Sequence, residues 1–215
     1  MYEDRISNPV IPEADSAFAS QQRTIYSIGH STLEAEDFLE LLKANRIQLL
    51  VDVRRFPKSE RVPWTTRNSL ATRLSESGIR YEHVEELGGY RTARSDSRNT
   101  GWRNTGFRGY ADYMETREFE AGLSRLIALA NGWRTVYMCA EAVPWKCHRS
   151  LLSDALVVRG FRIVHILGPG KRDEHRLTTF AKVHDKRLAY PPLPGKGLKP
   201  SRPSSPRKHG SRRPR

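Results

Sequence analysis

The fold of this chain is decided by residues 135–156, TVYMCAEAVPWKCHRSLLSDAL. The apolar run 135–138 predicts a strand, and residues 150–156 predict a helix. A strand that turns into a helix through a cluster of reactive side chains is where open α/β sheets tend to build ligand sites. We therefore expect a functional site at this turn. Its reactive side chains are Cys139, Glu141, Cys147, His148 and Arg149.

The same alternation of strand and helix continues on both sides of this turn. The run 47–53 is almost continuously apolar, which is typical of a strand that is covered on both faces. Ser31 and Glu34 match a capping box and predict the start of the first helix. We predict a three-layer, mainly parallel α/β sheet of about five strands with helices on both faces. The predicted strands are 24–29, 47–53, 79–84, 134–139 and 161–166, and the clearest helices are 67–76, 117–131 and 148–159.

Composition divides the chain into three segments. Residues 1–22 are polar and aperiodic and are predicted to form a flexible leader, followed by a single α/β domain over 23–190. Seven of the 13 prolines fall in residues 191–215, which predicts a disordered basic tail. Residues 196–215 hold eight of the 37 Lys and Arg residues and no Asp or Glu, so 29 basic residues face 24 acidic ones elsewhere. This tail is expected to bind polyanions.

The sequence also bears on the compartment. No stretch approaches the ~20 apolar residues that a membrane span needs. The first residues lack the apolar core of a signal peptide. Two cysteines within one motif do not resemble the disulfide framework of a secreted protein. We therefore expect a cytoplasmic protein without a membrane partner.

Polar residues follow four of the predicted strands, and in a parallel sheet such residues meet at one edge. We predict that they form one site. A purely structural role stays open for each of three residues. His30 could simply lie at the entry to a helix, Asp52 could simply pair with Arg54 or Arg55, and Cys139 could be a small buried apolar residue. The candidate catalytic residues are His30, Asp52, Cys139, Glu141, Cys147 and His148. The candidate phosphate- or substrate-binding residues are Arg54, Arg55, Glu86, Tyr90, Arg91 and Arg149.

Two kinds of chemistry suit this set. Cys147 is expected at a helix N-terminus beside Lys146 and His148, where a thiolate is favoured. Asp52, Glu86 and Glu141 could instead supply a carboxylate pair that cleaves a glycosidic bond. We expect no metal and no cofactor, because C-x₂-C spacing and the phosphate-binding glycine patterns are absent. Adjacent Cys147 and His148 also do not easily bind one zinc ion.

Residues 88–109 are rich in glycine, arginine and aromatic residues, and the stretch is longer than an ordinary connection. Interleaved rings and guanidinium groups suit stacked bases and bound phosphates. The alternative is a polar surface loop whose aromatic side chains are packed against the core.

Four ordered motifs give the chain a resemblance to the domain of unknown function 488 family. They are residues 24–31, residues 51–57, residues 86–89, and Cys139-Ala140-Glu141 with Cys147-His148-Arg149. The resemblance covers about residues 23–167. It implies a compact α/β domain in the cytosol of a bacterium or archaeon and suggests an enzyme without naming a reaction. The Asp-Val-Arg at 52–54 is also faintly similar to a strand end of rhodanese domains, but their short thiol loop is not evident.

Three functions follow from these observations. The first is a hydrolytic enzyme acting on nucleic acid or a nucleotide-like substrate. The second is a thiol-dependent transferase that uses Cys147 or Cys139. The third is a non-catalytic module that binds nucleic acid mainly through its positive charge. The sequence leaves the oligomeric state open.

Overall fold

The computed structural model describes residues 23–192 and contains a six-stranded sheet in the order β3-β2-β4-β1-β5-β6. The first five strands run parallel, and β6 pairs with β5 in the antiparallel direction. Two further short strands, β7 and β8, form a separate antiparallel hairpin. The strands are β1 (Thr24–Gly29), β2 (Leu49–Asp52), β3 (Arg80–His83), β4 (Thr135–Cys139), β5 (Arg162–Gly168), β6 (Lys171–Glu174), β7 (Lys182–His184) and β8 (Arg187–Ala189).

Helices cover both faces of this sheet. Two hydrophobic clusters lie on its two sides, one involving α1 and α2 and the other involving α3, α4 and α5. The predicted three-layer, mainly parallel α/β fold is confirmed, with six strands in the sheet instead of about five. The helices are α1 (Ala35–Ala44), α2 (Arg67–Glu76), α3 (Thr105–Tyr113), α4 (Arg117–Gly132) and α5 (Arg149–Val158).

The central strands supply both clusters, because successive side chains of a strand point to opposite faces. Leu50 packs among the residues of α1 and α2, whereas its neighbour Val51 packs among those of α4 and α5. All four residues of β2 and all five of β4 are buried. This explains why the two strands appear in the sequence as continuous apolar runs.

The chain connections create a topological switch point between β1 and β4. These strands are neighbours, and Gly29 is paired with Cys139 at their C-terminal ends. The connection after β1 leads to α1 on one face, and the connection after β4 leads to α5 on the other. Such a switch point is where open α/β sheets bind their ligands.

Some local predictions were wrong. The predicted capping box does not form, because Glu34 is the N-cap of α1 and makes no side-chain capping bond, while Ser31 has a φ of 47°. The predicted loop 88–109 contains the start of α3, which is capped by Asn104. Strand β6 was not predicted.

The predicted leader (1–22) and nearly all of the predicted tail (191–215) lie outside the described residues. The six-stranded sheet and both helical layers lie within the predicted domain 23–190. Between residues 23 and 192, no helix is sufficiently long and apolar to cross a membrane.

Candidate functional site at the C-terminal edge of the sheet

The ends of β1, β2 and β4 bring most of the predicted catalytic residues to one edge. Backbone bonds join these ends, since His30 N–H donates to the Cys139 carbonyl at 3.1 Å and Val53 N–H donates to the Met138 carbonyl at 3.0 Å. His148 reaches across from the start of α5 and hydrogen-bonds to Val53. Polar side chains that are distant in sequence therefore meet beside this switch point.

Asp52 and Arg54 form a buried ion pair within this edge. Arg54 Nη2 lies 2.6 Å from Asp52 Oδ2, and Arg54 Nε lies 2.9 Å from Asp52 Oδ1. Tyr81 donates a third bond to the carboxylate at 2.9 Å, and the Arg54 backbone N–H donates a fourth at 3.0 Å. Burial and the neighbouring Asp52 charge raise the pKa of Tyr81, which keeps its hydroxyl a donor. The acceptor positions of Asp52 are thus occupied by the protein itself.

Arg54 is held as firmly as its partner. Its Nη2 also donates to the Thr65 carbonyl at 2.7 Å, and its Nη1 lies 3.4 Å from His30 Nε2. Both Asp52 and Arg54 are buried. Their predicted roles in catalysis and phosphate binding receive no geometric support, because the two side chains bind each other.

His30 is buried next to this ion pair. Its Nδ1 donates to the Ser31 carbonyl at 3.0 Å, so Nε2 carries the lone pair that faces Arg54. The ring also meets Trp64 edge-on, with centroids 6.1 Å apart. Burial, followed by the Arg54 charge, lowers the pKa of His30 to about 4. The ring is therefore neutral at physiological pH and orients Arg54.

The second group at this edge consists of Cys139, Cys147 and His148. His148 Nδ1 lies 3.6 Å from Cys147 Sγ and 3.9 Å from Cys139 Sγ. The three atoms all lie within 4.8 Å of one another. Both cysteines are buried and free, and His148 is half-buried. Among residues 23–192 this is the only group of three or more His, Cys, Asp and Glu side chains whose ligand atoms converge in this way.

The hydrogen bonds of His148 fix its tautomer. Its Nε2 lies 3.2 Å from the Val53 carbonyl, which can only accept, so Nε2 carries the proton. The Nδ1 lone pair consequently faces the two sulfur atoms. Tyr110 packs against the ring with centroids 4.9 Å apart and donates its own hydroxyl to the Leu87 carbonyl at 2.8 Å.

The two thiols are not equivalent. A hydrogen bond from Cys139 lowers the pKa of Cys147 well below its ordinary value, and His148 and Arg149 act in the same direction against burial. The same hydrogen bond, together with burial, raises the pKa of the Cys139 thiol. The Arg149 backbone N–H lies 3.5 Å from Cys147 Sγ at the start of α5. Cys147 is thus the more acidic member of the pair.

Arg149 is buried and holds the loop between β4 and α5. Its Nη1 donates to Ser27 Oγ at 3.1 Å, and its Nη2 donates to the carbonyls of Glu141 and Ala142. A Cβ at Gly29 would lie 1.7 Å from the Glu141 carbonyl oxygen, so the loop closes directly over a glycine. Both terminal nitrogens of Arg149 are bound to the protein, which leaves its predicted phosphate binding without geometric support.

The remaining predicted residues lie at the surface. Glu141 and Glu86 are exposed and do not join the buried groups. Arg55 donates from Nη1 to the Tyr90 carbonyl at 3.0 Å, and Tyr90 is 86 % exposed. Arg91 donates to the Gly88 carbonyl at 3.0 Å and lies over the Tyr113 ring at 3.6 Å.

The aromatic residues of the 88–109 stretch mostly face inward. Trp102 packs against Phe107 and Phe180, with centroids 5.0 Å apart in both cases. Tyr110 is buried. The packed-loop alternative therefore holds for these rings, whereas Tyr90 alone among the aromatic residues of 88–110 is strongly exposed.

Sequence reasoning missed three residues that shape this edge: Tyr81, Tyr110 and Gly89. The alternating pattern of β3 could have placed Tyr81 beside Asp52, because the two strands are neighbours. Gly89 belongs to the motif 86–89 that carries the family resemblance, but the sequence did not indicate that its missing side chain leaves room beside His148. A solvent-open cavity of about 410 Å³ lies elsewhere, beside Trp145, His165 and His175, and none of the Cys139, Cys147 and His148 cluster lines it.

The prediction that no metal binds here stays a prediction, but its argument from adjacent residues does not match the geometry. Cys147 and His148 are adjacent in sequence, yet their Sγ and Nδ1 atoms converge on Cys139 Sγ. The turn just before α5 directs both side chains to the same side. The donor set of two sulfurs and one imidazole nitrogen could hold a soft or borderline metal ion.

Comparison with known proteins gives one match. The model of a family described as "Domain of unknown function DUF488" matches residues 34–156, a stretch that includes the Asp52–Arg54 pair and the Cys139, Cys147 and His148 cluster. Searches of curated proteins and of solved structures found no match. Because the matched residues make up more than half of the 215-residue chain, the protein belongs to the DUF488 family.

Proposed function

We propose that the protein is an enzyme that hydrolyses a bond in nucleic acid or in a nucleotide-like substrate. The observation that carries this proposal is that Gly88 and Gly89 lie between two groups of residues. One group is the buried cluster of Cys139, Cys147 and His148. The other is an exposed aromatic and cationic surface, here called the Arg55 surface, formed by Arg55, Phe56 and Tyr90.

The Arg55 surface has the composition that binds bases and phosphates. Phe56 is 60 % exposed and Tyr90 is 86 % exposed, so both rings are free to stack on a base. The Arg55 guanidinium lies 5.3 Å from the Phe56 ring centroid and binds the Tyr90 carbonyl. A guanidinium next to an exposed ring, and bonded to the backbone of a second residue with an exposed ring, suits a substrate that carries a phosphate beside a base.

Gly88 and Gly89 connect this surface to the cluster. A Cβ at Gly88 would lie 2.6 Å from Arg55 Cα, and a Cβ at Gly89 would lie 2.8 Å from His148 Nδ1. Between the Arg55 surface and the cluster, Gly88 and Gly89 therefore contribute backbone atoms only and no side chains. A substrate bound on the Arg55 surface would have its reacting group near His148, the least buried member of the cluster.

The reacting groups in this proposal differ from the carboxylate pair expected from the sequence. Asp52 is bound to Arg54, while Glu86 and Glu141 are exposed at other positions. The unprotonated ring nitrogen of His148 is Nδ1, because Nε2 donates to the Val53 carbonyl. This nitrogen could take a proton from a water molecule directly or hold a metal ion that activates the water, and either route replaces the carboxylate pair.

The test is an assay with labelled DNA, RNA and free nucleotides, including strands that carry modified bases. We expect cleavage or base release by the wild type. His148→Asn should lower the rate at least ~100-fold, since general acid–base groups contribute about that much or more. Arg55→Ala and Phe56→Ala should raise KM. Trp133→Ala is the matched control, because Arg80 lies 4.2 Å from the Trp133 ring at the opposite edge of the sheet. Equal product formation by wild type and His148→Asn would reject the proposal.

A thiol-dependent transferase is the second candidate. It is favoured by the position of Cys147 Sγ, which accepts the Arg149 backbone N–H at the N-terminus of α5. Incubation with acyl thioesters and with sulfur donors, followed by mass spectrometry of tryptic peptides, tests it. A covalent adduct on the Cys147 peptide that is absent in Cys147→Ser would favour this function over hydrolysis.

The proposed compartment is the cytoplasm. The protein contains two free cysteines whose sulfur atoms lie within 4.8 Å of each other, an arrangement that suits a reducing environment. Polyanion binding by the basic residues of 196–215 would bring nucleic acid near the Arg55 surface without adding specificity. Binding without any turnover of the substrates above would favour a non-catalytic binding module.

A further inference from the structure

We infer that Cys139, Cys147 and His148 form a binding site for Zn²⁺, with Cys139 Sγ, Cys147 Sγ and His148 Nδ1 as ligands and a fourth position left for water or substrate. Metal binding at this cluster stands apart from the proposed function, because it follows from the ligand geometry alone. Only the use of the metal for hydrolysis rests on that function.

The separations of the ligand atoms fit tetrahedral zinc. Zinc binds sulfur at about 2.3 Å and imidazole nitrogen at about 2.0–2.1 Å, so two such ligands around a tetrahedral ion lie roughly 3.5–3.6 Å apart. His148 Nδ1 lies 3.6 Å from Cys147 Sγ and 3.9 Å from Cys139 Sγ. The two nitrogen–sulfur separations are thus equal to or slightly larger than those of a zinc site, and all three atoms lie within 4.8 Å of one another.

The imidazole is oriented as a metal ligand. A ligating histidine usually donates its other ring N–H to a carbonyl or a carboxylate, which fixes the tautomer and strengthens the ligand. His148 Nε2 donates to the Val53 carbonyl at 3.2 Å, and this leaves the Nδ1 lone pair aimed at the sulfur atoms. Tyr110 holds the ring from one side.

Gly89 leaves room beside the coordinating nitrogen. A Cβ at this position would lie 2.8 Å from His148 Nδ1 and 3.3 Å from His148 Cε1. The φ of Gly89 is not in the left-handed region, so its backbone conformation does not require glycine. The requirement is the free space next to Nδ1.

A metal ion would also suit the burial of the cluster. Cys139 and Cys147 are only 7 % and 3 % exposed, so two thiolates at these positions would need a cation between them. Zn²⁺ neutralises both, and the Arg149 N–H donates to the Cys147 sulfur as an outer-shell bond. The ligands lose their thiol protons when the metal binds.

The coordination number indicates the role of the metal. Within residues 23–192, no fourth His, Cys, Asp or Glu side chain converges on the cluster. Structural zinc sites normally have four protein ligands, whereas catalytic sites have three and keep one position for water. Zinc at this cluster would supply an activated water molecule beside the Arg55 surface.

The experiment uses the full chain without a polyhistidine tag, purified in the presence of a reducing agent. Zinc content is measured by mass spectrometry for the wild type and for Cys139→Ser, Cys147→Ser and His148→Asn. His184→Asn is the matched control, because that histidine is 92 % exposed. We expect about one zinc per chain in the wild type and the control. Each ligand variant should contain at least tenfold less zinc, because removal of a ligand weakens metal binding.

A second measurement does not depend on the folding of any variant. Wild-type protein stripped with a chelator is titrated with Co²⁺, and the spectrum should show thiolate-to-cobalt charge transfer and intense tetrahedral d–d bands that Zn²⁺ then abolishes. Absence of these bands, together with zinc content equal in wild type and ligand variants, would overturn the site. Failure of the metal site with undiminished hydrolysis in stripped protein would leave the proposed function standing. Bound zinc without hydrolysis of any substrate would leave the site standing and reject the function.

Discussion

At the scale of single residues, the ion pair between Asp52 and Arg54 determines what the edge of the sheet can do. Removing one partner from a buried pair leaves an uncompensated charge, which typically costs about 3–5 kcal/mol. Asp52 also accepts bonds from Tyr81 and from the Arg54 backbone. The pair connects β2, β3 and the segment near Thr65, and it positions the residues beside the switch point.

We expect Asp52→Asn to lower the free energy of unfolding by about 3 kcal/mol. The control is Asp96→Asn, which breaks a surface ion pair with Arg94 at 3.6 Å; exposed pairs of this kind contribute less than about 1 kcal/mol. Urea denaturation monitored by circular dichroism measures both variants. An Asp52→Asn variant as stable as the control would show that the pair contributes no net stability.

Gly29 gives a second prediction at this scale. A Cβ there would lie 1.7 Å from the Glu141 carbonyl oxygen and 2.8 Å from Arg149 Nη2, so Gly29→Ala must displace the loop after β4. We expect a loss of about 3 kcal/mol or more, because backbone atoms yield less than side chains. Gly132→Ala, where nothing lies within 4 Å of the added atom, should change stability by less than about 1 kcal/mol. Thermal unfolding of both variants would decide the matter, and equal midpoints would contradict this account.

The sequence was sufficient to gather Cys139, Cys147 and His148 at one place, since a strand end and a helix start are both visible in it. It could not show which way each side chain turns. Arg54 and Arg149 were expected to face a ligand, but both fold back onto protein acceptors. Such choices depend on which carbonyls and carboxylates are near in space, and periodicity carries no information about that.

At the scale of elements, a chain of hydrogen bonds ties β1, β5 and α5 together. Asp154 in α5 accepts from His175 Nε2 at 2.8 Å and from the Tyr190 hydroxyl at 2.9 Å. His175 Nδ1 lies 3.1 Å from His165 Nε2, and His165 Nδ1 lies 3.0 Å from Ser27 Oγ. The two rings therefore form a continuous hydrogen-bonded link between Asp154 and Ser27.

This network predicts that stability falls in mild acid. Burial, followed by the charges of His175 and Arg149, lowers the pKa of His165 from 6.5 to about 3. The unfolded chain therefore binds a proton below about pH 6.5 that the folded chain binds only near pH 3. The stabilisation is complete above pH 6.5 and decreases as the pH falls, with a slope that approaches about 1.4 kcal/mol per pH unit for this one group.

The measurement is the free energy of unfolding between pH 7 and pH 5 in the wild type, His165→Asn and the exposed control His184→Asn. We expect the slope of the unfolding free energy against pH to be smaller in His165→Asn, by up to about 1.4 kcal/mol per pH unit, which corresponds to one proton. The control should keep the slope of the wild type. Buried His30 contributes in the same direction and remains in all three proteins. A slope unchanged by His165→Asn would contradict the prediction, because it would mean that the pKa of His165 is the same in the folded and unfolded chain.

Most elements could be predicted because their buried apolar residues recur at a regular spacing in the sequence. The strand 24–29 was placed at its observed bounds, and the helix predicted over 117–131 lies within one residue of α4 (Arg117–Gly132). Strand β6 has the sequence KRDE, and all four of its side chains are exposed, so no hydrophobic pattern could reveal it. The Ser31 cap failed because the backbone takes a left-handed turn there and the helix begins later, after Glu34.

At the scale of the whole molecule, the positive charge is distributed unevenly. The chain carries a net charge of +13, and eight of its 37 basic residues fall in 196–215 without any acidic residue. Polyanion affinity should therefore reside mainly in this segment, because phosphate neutralisation releases counterions and lowers affinity as salt rises. The candidate site belongs to a part of the chain with a smaller charge excess.

We expect a chain truncated after Pro192 to bind duplex DNA much more weakly than the full chain at low salt. Each phosphate contact contributes about 0.9 to the slope of log affinity against log salt, so the slope should become smaller by several units. Fluorescence anisotropy at several salt concentrations measures it, and hydrolytic activity on free nucleotides should be unchanged. An identical slope in both proteins would assign the binding to residues 1–192.

The overall architecture could be predicted because alternation of strand and helix leaves few arrangements. The strand order could not be predicted, since no pattern in the sequence indicates that β4 lies between β1 and β2. That insertion is what brings Cys139 next to the ends of both strands. The candidate site therefore depends on the one topological fact that the sequence left undetermined.

Strand β6 has a further consequence for behaviour at high concentration. Its exposed side chains, Lys171 to Glu174, place two cations and two anions along an outer margin of the sheet. A neighbouring molecule that added its own strand there would have to strip water from all four charges, and natural sheets use such charges to discourage this pairing. Concentrated solutions should accordingly remain free of fibrils that grow by strand addition at this margin.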